Sequence, residues 1–348
     1  MSLTSPDEIA LYDRQIRLWG MGTQMRLMTA KVLIINLSAL GCELVKNLVL
    51  GGVNSIEILD SSTIKEEDFL AQFFLPNDDS VIGQLKLPVV LDNIKQLNNR
   101  VNISTNTTRL PGLLKNSLQS LEYFAKFDLI IGTSMTKEDI FTLNYYTRSL
   151  NLPLYVAGLH GMFGYIMSDL IKHISVSVKD AGNQPRTPGT KLADSKRITH
   201  VDYDKKDQKE TVTIEDDFVK IEEIFNSKKL PLQLNKRQMK RLSAAFPLIF
   251  ALFELDAPQE PEDTVNFNQL HQIALQKCDV FGIPRHVISS EYVELFSRQA
   301  YTEFVPVSAI LGGCLAQEVI QFLSKKESPI NNCLIIDALK TEMPIYLL

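Results

Sequence analysis

A strand, a helix and a second strand between residues 31 and 60 constrain the fold more than any other feature. The apolar run Lys31–Asn36 precedes a helical stretch near 41–50, and a second β-branched run, Ser55–Asp60, follows it. Two strands joined by a helix over about thirty residues form a βαβ unit, and such a unit requires a parallel sheet. This part of the sequence therefore predicts an α/β fold.

The same alternation continues towards residue 160. Helical periodicity is present near 85–97, 114–126 and 137–150, and apolar strand-like runs lie at 101–105, 128–132 and 154–157. Repeated strand–helix alternation is typical of a doubly wound parallel sheet with helices on both faces. We therefore predict that residues 1–174 form the first part of a Rossmann-like domain.

Composition changes after that segment. Residues 175–232 are rich in Lys, Asp and Glu and poor in large apolar side chains, which predicts an inserted, smaller α/β subdomain that is partly mobile and has exposed strands such as Glu210–Ile214. Helical periodicity returns near 235–255, and the helix Pro306–Ser324 precedes two strand-like runs. Residues 233–348 should thus complete the main domain.

Charge and residue usage exclude several classes of function. The chain has 36 Lys+Arg against 41 Asp+Glu, so no basic excess favours nucleic acid or an anionic membrane. No uninterrupted apolar run approaches the ~20 residues of a membrane span, and the N-terminus has no secretory pattern. The four cysteines form no C-x-x-C pair and the five histidines show no ligand spacing, so we expect no metal site and no disulfide framework.

The turn after the first strand is where a nucleotide phosphate would bind. A dinucleotide fingerprint would place glycine at 36, 38 and 41, but only Gly41 is present, beside Asn36 and Ser38. Side chains at those two positions would occupy the space that a pyrophosphate needs. Asp60 stands where an acidic residue binds ribose hydroxyls, although it could equally be a strand-terminal turn residue. These residues predict that no working nucleotide pocket is present.

Three motifs resemble the family of enzymes that activate ubiquitin-like proteins. They are the run Tyr12–Gly20 with the βαβ unit that follows it, the phrase Gln72-Phe73-Phe74, and the stretch Pro306–Ile320. The similarity covers the chain apart from the insert, and its length matches the smaller subunits of the SUMO-activating branch. The resemblance implies a Rossmann-like adenylation domain of the ThiF and MoeB type, with the insert as the first half of a cysteine domain.

Active members of that family use MgATP to adenylate the C-terminal glycine of a modifier, and a cysteine then captures it as a thioester. In this chain the ribose aspartate matches Asp60, and Gln72 and Lys86 are retained. The asparagine falls at Asp68, the phosphate-binding arginine at Ala71 and the magnesium-associated aspartate at Met135. The resemblance therefore implies a non-catalytic subunit, inactive alone, paired with a larger catalytic subunit that binds MgATP and carries the cysteine.

In the paired architecture of this family, an arginine of the inactive half contacts the ATP phosphates of the active half. That arginine matches Arg14, while Arg17 is a weaker candidate because its spacing from Asp13 suits an ion pair on one helix. The resemblance further implies that the pair activates SUMO, passes it to the SUMO-conjugating enzyme, and resides in the nucleus with some cytoplasmic protein.

Two other functions stay open as alternatives. One is a self-sufficient homodimeric adenylating enzyme of the type that activates molybdopterin synthase, and the other is a nicotinamide-dependent oxidoreductase. Asn36, Ser38, Ala71 and Met135 argue against the first. The broken glycine fingerprint and the absence of an evident hydride-transfer constellation argue against the second. The pair Gly312-Gly313 inside a helix indicates close packing, either within the chain or against the partner. Cys278 is expected to be a buried, inert thiol rather than a nucleophile.

Overall fold

A computed structural model of the chain describes residues 6–115, 117–258 and 263–348. Its α-helices are α1 Pro6–Leu11, α2 Asp13–Trp19, α3 Met21–Leu27, α4 Ala39–Gly51, α5 Lys86–Leu97, α6 Leu110–Leu114, α7 Ser117–Phe124, α8 Lys137–Ser149, α9 Ile221–Ile224, α10 Leu230–Gln233, α11 Lys236–Arg241, α12 Ala245–Leu252, α13 Phe267–Phe281, α14 Ser290–Ser297 and α15 Val305–Ser324. Its strands are β1 Lys31–Ile35, β2 Ser55–Leu59, β3 Asn102–Asn106, β4 Leu129–Thr133, β5 Leu154–His160, β6 Phe163–Asp169, β7 Lys172–Asp180, β8 Lys191–Ala193, β9 Lys196–Asp204, β10 Lys209–Asp217, β11 Cys333–Asp337 and β12 Ile345–Tyr346. Short 3₁₀ turns lie at Glu66–Leu70, Asp79–Val81 and Arg285–Val287.

The main sheet has the order β12-β11-β6-β5-β4-β1-β2-β3. The strands from β5 to β3 are parallel, and β6, β11 and β12 extend the sheet in antiparallel pairing. Successive residues of β1 face opposite sides: Val32 and Ile34 belong to one apolar core, and Leu33 and Ile35 to the other. The predicted doubly wound α/β fold is confirmed, and its strand order reverses between β1 and β4.

Helix α15 lies on the same face of the sheet as α4 and packs against it. Among the described residues it is the one helix long and apolar enough to cross a membrane, a property that the search for uninterrupted apolar runs overlooked. In the structure, 61% of the apolar stretch of this helix is buried within the chain. Its contacts with α4, α3 and β6 account for the apolar composition, because both faces of the sheet must be covered.

Breaks divide two helical segments of the chain. Gly20, with φ of +84°, separates α2 from a further helix, α3. The predicted stretch near 235–255 is divided into α11 and α12, whereas the predicted helix near 114–126 corresponds to α7. Apolar periodicity continues across such breaks, because the pieces bury their apolar sides in one core, so it does not reveal where the helix is interrupted.

The charged insert contains a four-stranded antiparallel sheet in the order β7-β10-β9-β8. The predicted exposure of Glu210–Ile214 is wrong, because β10 pairs on both sides and alternate side chains along it are buried. The helices α9 and α10 follow the sheet but contribute Ile221, Ile224 and Leu230 to the core of the main domain. The separate unit is thus the sheet from Lys172 to Asp217.

A buried ion pair connects the two ends of that sheet to the main domain. The guanidinium of Arg148, on α8, contacts the buried carboxylate of Asp169 at 2.7 Å and donates to the carbonyl of Phe218 at 2.7 Å. The N–H of Phe218 donates to the carbonyl of Ile171. The chain therefore enters and leaves the insert at one fixed place beside β6.

Candidate functional site

The crevice between β1 and β4 is the place where an open α/β sheet of this order binds ligands. Ligands bind outside the carboxyl ends of the strands where the strand order reverses, and a helix N-terminus there favours anions. Asn36 follows β1, Thr133 ends β4, and α4 begins just above them at Ala39. The residues predicted from the sequence therefore lie together, at the expected end of the sheet.

Side chains of the loop itself close this crevice. The Asn36 amide donates to the carbonyl of Thr133 at 2.8 Å, and the Thr133 hydroxyl donates to the carbonyl of Asn36 at 2.7 Å. The Ser38 hydroxyl donates to the Thr133 hydroxyl at 3.0 Å. Thr133 was missed in the sequence, although a polar residue at the carboxyl end of a strand beside the reversal point was a usable signal.

Asp60 occupies the expected position, but its carboxylate is used within the chain. One oxygen accepts from the N–H of Leu37 at 2.7 Å and the other from the N–H of Ser62 at 2.7 Å. The residue is 6% exposed. Asp60 thus holds the loop after β1 against the turn after β2, as the turn interpretation expected.

The N-terminus of α4 already holds an anionic side chain. Ser38 caps the helix by accepting from the N–H of Gly41, and the carboxylate of Glu303 accepts from the N–H of Ala39 at 2.8 Å. Burial is the main cause that raises the pKa of Glu303 above its usual value. A phosphate at this helix end would meet that carboxyl group. No local pattern in the sequence signals Glu303, which lies 264 positions from Ala39.

The remaining family positions are also committed to internal contacts. The ammonium of Lys86 lies 3.1 Å from the carboxylate of Asp68, and both side chains are largely buried. The Gln72 amide donates to the carbonyl of Leu37 at 2.7 Å and accepts from the thiol of Cys42 at 2.8 Å. Lys86 therefore serves as a partner of Asp68 in this chain.

At two positions of this site, an uncharged residue stands where the family pattern has a charged one. Ala71 and Met135 are both buried, and the sulfur of Met135 lies over Gly132, 2.1 Å from where a Cβ on that glycine would be. A thioether does not ligate Mg²⁺, which takes oxygen ligands, and alanine offers no charge to a phosphate. These two positions therefore offer neither a positive charge for phosphate nor an oxygen ligand for Mg²⁺.

Arg14 lies at the opposite end of α4. The amide of Gln15 donates to the carbonyl of Leu50 at 3.3 Å, and the ring of Tyr12 packs on Gly52, just beyond the end of α4. Helix α4 has 13 residues, which corresponds to about 20 Å at 1.5 Å per residue. An arginine side chain does not span that length, so Arg14 cannot act on the crevice of its own chain.

The two arginines of α2 differ in their partners. Arg17 forms an ion pair with Asp13 at 2.9 Å, as the spacing predicts. Arg14 is exposed, and its side chain has no ion pair or hydrogen bond to another described residue. Arg14 is therefore free to contact a group outside the chain.

The cysteines offer no activated nucleophile. Cys42, Cys278 and Cys333 are buried and Cys314 is partly buried, and all four thiols are free. Burial raises the pKa of the Cys278 thiol to about 12 and that of the other three above the usual value. A thiolate is the reactive form, so none of these groups is poised to form a thioester.

In the described part of the chain, no group of three or more His, Cys, Asp or Glu side chains could hold a metal ion.

The two glycines of α15 have different surroundings. A Cβ on Gly312 would lie 2.6 Å from the Cβ of Glu43 and 3.3 Å from the carbonyl oxygen of Leu40, both on α4. A Cβ on Gly313 would have no heavy atom within 4 Å. Packing within the chain therefore explains Gly312, and contact with a partner stays open for Gly313.

These features define a doubly wound α/β protein whose mononucleotide crevice is closed by its own side chains. A model of the ThiF family matches residues 12–347, and the chain belongs to that family. The DNA damage tolerance protein RHC31 of Saccharomyces cerevisiae is 37% identical, with 98% of this chain and 97% of that protein covered. SUMO-activating enzyme subunit 1 of Homo sapiens is 28% identical, with 97% and 94% covered. The resemblance inferred from the motifs is confirmed.

Solved structures agree on the fold. Escherichia coli MccB matches with a TM-score of 0.54 at 14% identity, covering 99% of this chain and 70% of that one. PaaA matches with a TM-score of 0.56 at 11% identity, covering 99% of this chain and 75% of that one. At such low identity these similarities establish the architecture and nothing about the reaction.

Proposed function

We propose that this chain is the non-catalytic subunit of a heterodimeric SUMO-activating enzyme and that it supplies Arg14 to the MgATP site of a larger catalytic subunit. The observation that carries the proposal is the contrast between the two ends of α4. The crevice at one end is closed by Asn36, Thr133 and Glu303, whereas Arg14 at the other end is exposed and unpaired among the described residues. Relatives named SUMO-activating enzyme subunit 1 match nearly the whole chain and support this assignment.

The role of Arg14 follows from its chemistry. A guanidinium is charged at every physiological pH and can donate two parallel hydrogen bonds to phosphate oxygens. In the proposed complex, Arg14 would stabilise charge that develops on the triphosphate while the partner adenylates the C-terminus of SUMO. The partner would also provide the thioester-forming cysteine and the contact with the SUMO-conjugating enzyme. Residence in the nucleus belongs to the same proposal.

The decisive experiment uses the chain reconstituted with the larger subunit. SUMO-dependent exchange of pyrophosphate into ATP is compared between the wild type, Arg14→Ala and Arg17→Ala. Loss of one preorganised charge contact costs about 2–4 kcal/mol in the transition state, so Arg14→Ala should lower the rate about 30- to 10³-fold. Arg17→Ala is the matched control, because Arg17 already pairs with Asp13, and it should stay near the wild-type rate.

Two outcomes would contradict the proposal. A normal exchange rate for Arg14→Ala, with the pair intact by size-exclusion chromatography, would remove the role of Arg14. Saturable binding of MgATP to the isolated chain in equilibrium dialysis would favour the homodimeric adenylating enzyme instead. We expect no such binding, because the carboxylate of Glu303 already accepts the N–H of Ala39 at the helix end.

A further inference from the structure

A second cleft lies where the sheet of the insert meets the main domain. We call it the junction cleft, and it has a volume of about 420 Å³. Its walls come from β8, β9 and β10 of the insert and from the end of α15, the loop 328–331 and β12 of the main domain. A cleft of this size can hold a side chain or a small molecule.

A buried carboxylate in this cleft has an unsatisfied oxygen. Asp216 is 1% exposed and lines the cleft, and its Oδ2 has no hydrogen-bond partner among the described residues. The ammonium of Lys196 lies 3.6 Å from that oxygen, which offsets its charge but exceeds the usual hydrogen-bond distance. Leaving such an acceptor unpaired costs free energy, so its retention points to a donor from outside the chain.

Two further acceptors line the same cleft. The amide of Asn331 is oriented by its donor side, which donates to the hydroxyl of Ser195 at 3.2 Å and to the carbonyl of Asp217 at 3.0 Å. Its Oδ1 is left without a partner among the described residues. Glu318 is 8% exposed and accepts one hydrogen bond, from the N–H of Ile330. Two acidic residues, Asp216 and Glu318, and one basic residue, Lys196, line the cleft, so acidic groups are in excess there.

The chemistry of these groups specifies the ligand. A guanidinium has five N–H donors in one plane and no acceptor, so it suits several acceptors in one cleft better than an ammonium does. Ile345 and Leu347 also line the cleft, and Ile345 is 55% exposed, so an aliphatic stem would meet an apolar wall. We propose that the junction cleft binds an alkylguanidinium group, as carried by an arginine side chain, through Asp216, Asn331 and Glu318.

The experiment titrates the full-length chain, labelled at the isoleucine methyl groups, with Nα-acetyl-arginine methylamide. Ile330 and Ile345 report directly on the cleft. We expect saturable shifts of both methyl groups, at least tenfold weaker binding for the citrulline analogue, which has the same shape without the charge, and weaker binding for the lysine analogue. Agmatine distinguishes the source of the group: tighter binding of agmatine indicates a free small molecule, and equal or weaker binding indicates a peptide side chain.

Three variants decide whether the named groups are responsible. Asp216→Asn should weaken binding at least tenfold. Asp202→Asn makes the same change at an exposed position of β9 and should leave binding unchanged. Lys196→Met removes the competing ammonium and should tighten binding at least threefold. If Asp216→Asn does not fold, as judged by circular dichroism, Lys196→Met decides: tighter binding supports the proposal and unchanged or weaker binding overturns it.

Several results would overturn the proposal outright. They are the absence of saturable shifts in the wild type, equal binding of the citrulline analogue, and equal binding of the lysine analogue. Binding that appears only in Lys196→Met would also overturn it, because the cleft would then be filled by the lysine of its own chain. Equal loss of binding in Asp202→Asn would show that general charge, and not this cleft, attracts the ligand.

Discussion

The polar groups at the two ends of α4 differ in whether they have partners within the chain. At the N-terminal end, Asp60 binds two backbone N–H groups, and Glu303 binds the N–H of Ala39. At the C-terminal end, Arg14 points to solvent without a partner in the described part of the chain. The family positions that suggest nucleotide binding are therefore engaged in internal contacts here, and the unpaired Arg14 lies about 20 Å away along the helix.

This difference has a physical origin. Buried polar groups without partners are costly, so the polar groups of the crevice require either a ligand or internal partners. Internal hydrogen bonds such as that between Asn36 and Thr133 satisfy them instead. A retained residue type, such as the aspartate at position 60, is thus insufficient evidence for a retained function. A residue that keeps its function differs from one that keeps only its type in whether its polar atoms already have hydrogen-bond partners within the chain.

The largest effect on stability is expected from Asp60→Ala. The substitution removes the acceptor of the buried N–H of Leu37 and of the N–H of Ser62, so it should lower the free energy of unfolding by about 2–4 kcal/mol. Asp92→Ala, at an exposed position of α5, is the matched control and should change it by less than about 0.5 kcal/mol. Urea denaturation measures both, and equal stability of the two variants would contradict the structural role of Asp60.

The next effect concerns two carboxyl groups, one just before α15 and one within it. Glu303 and Glu318 each accept one backbone N–H, and burial raises the pKa of both, that of Glu318 to about 7. The folded chain therefore binds a proton more tightly than the unfolded chain does. The contribution of Glu318 to stability is fully present below pH ~4.5 and is lost as the pH rises towards 7, by roughly 3 kcal/mol.

Glu318→Gln removes this titration. The variant should show a smaller fall in the free energy of unfolding between pH 5 and 7.5 than the wild type, and it should be the more stable protein at pH 7.5. Urea denaturation at the two pH values measures how much the free energy of unfolding falls in each protein. Parallel pH profiles for the two proteins would show that Glu318 does not carry a raised pKa.

The parallel part of the main sheet could be predicted from the sequence, whereas β6 and the insert sheet could not. Apolar runs such as Lys31–Asn36 are buried on both faces, which makes parallel strands recognisable. The strand β6, Phe163–Asp169, was missed because its hairpin turn and polar residues interrupt the apolar pattern. The half-buried strand β10 carries charged residues on both faces, including the buried Glu210 and Asp216, so composition alone resembled an exposed segment.

The site was predictable only as a set of positions. The structure places Asn36, Ser38, Gly41, Asp60 and Lys86 in or beside the crevice, and several of the hydrogen bonds that occupy it join residues remote in sequence. Glu303 reaches Ala39 from 264 residues away, and Thr133 reaches Asn36 from 97 residues away. Contacts of that kind depend on tertiary packing, which no local spacing encodes. The residue types at positions 71 and 135 could be read from the sequence, whereas the internal hydrogen bonds of the crevice could not.

The smallest predicted effect separates the two glycines of α15. Gly312 packs on the first half of α4, near the closed crevice, and a methyl group there would clash with Glu43. Gly312→Ala should therefore lower the free energy of unfolding by about 1–3 kcal/mol. Gly313→Ala meets open space and should raise it by up to about 1 kcal/mol through helix propensity.

Denaturation of the isolated chain measures the packing at both positions, and size-exclusion chromatography with the larger subunit measures pairing. If Gly313→Ala is stable alone but fails to pair, its open surroundings are the place where a partner approaches the backbone. If it pairs normally, the second glycine has no role in assembly. If Gly312→Ala is as stable as the wild type, α15 does not pack on α4 as closely as the structure indicates.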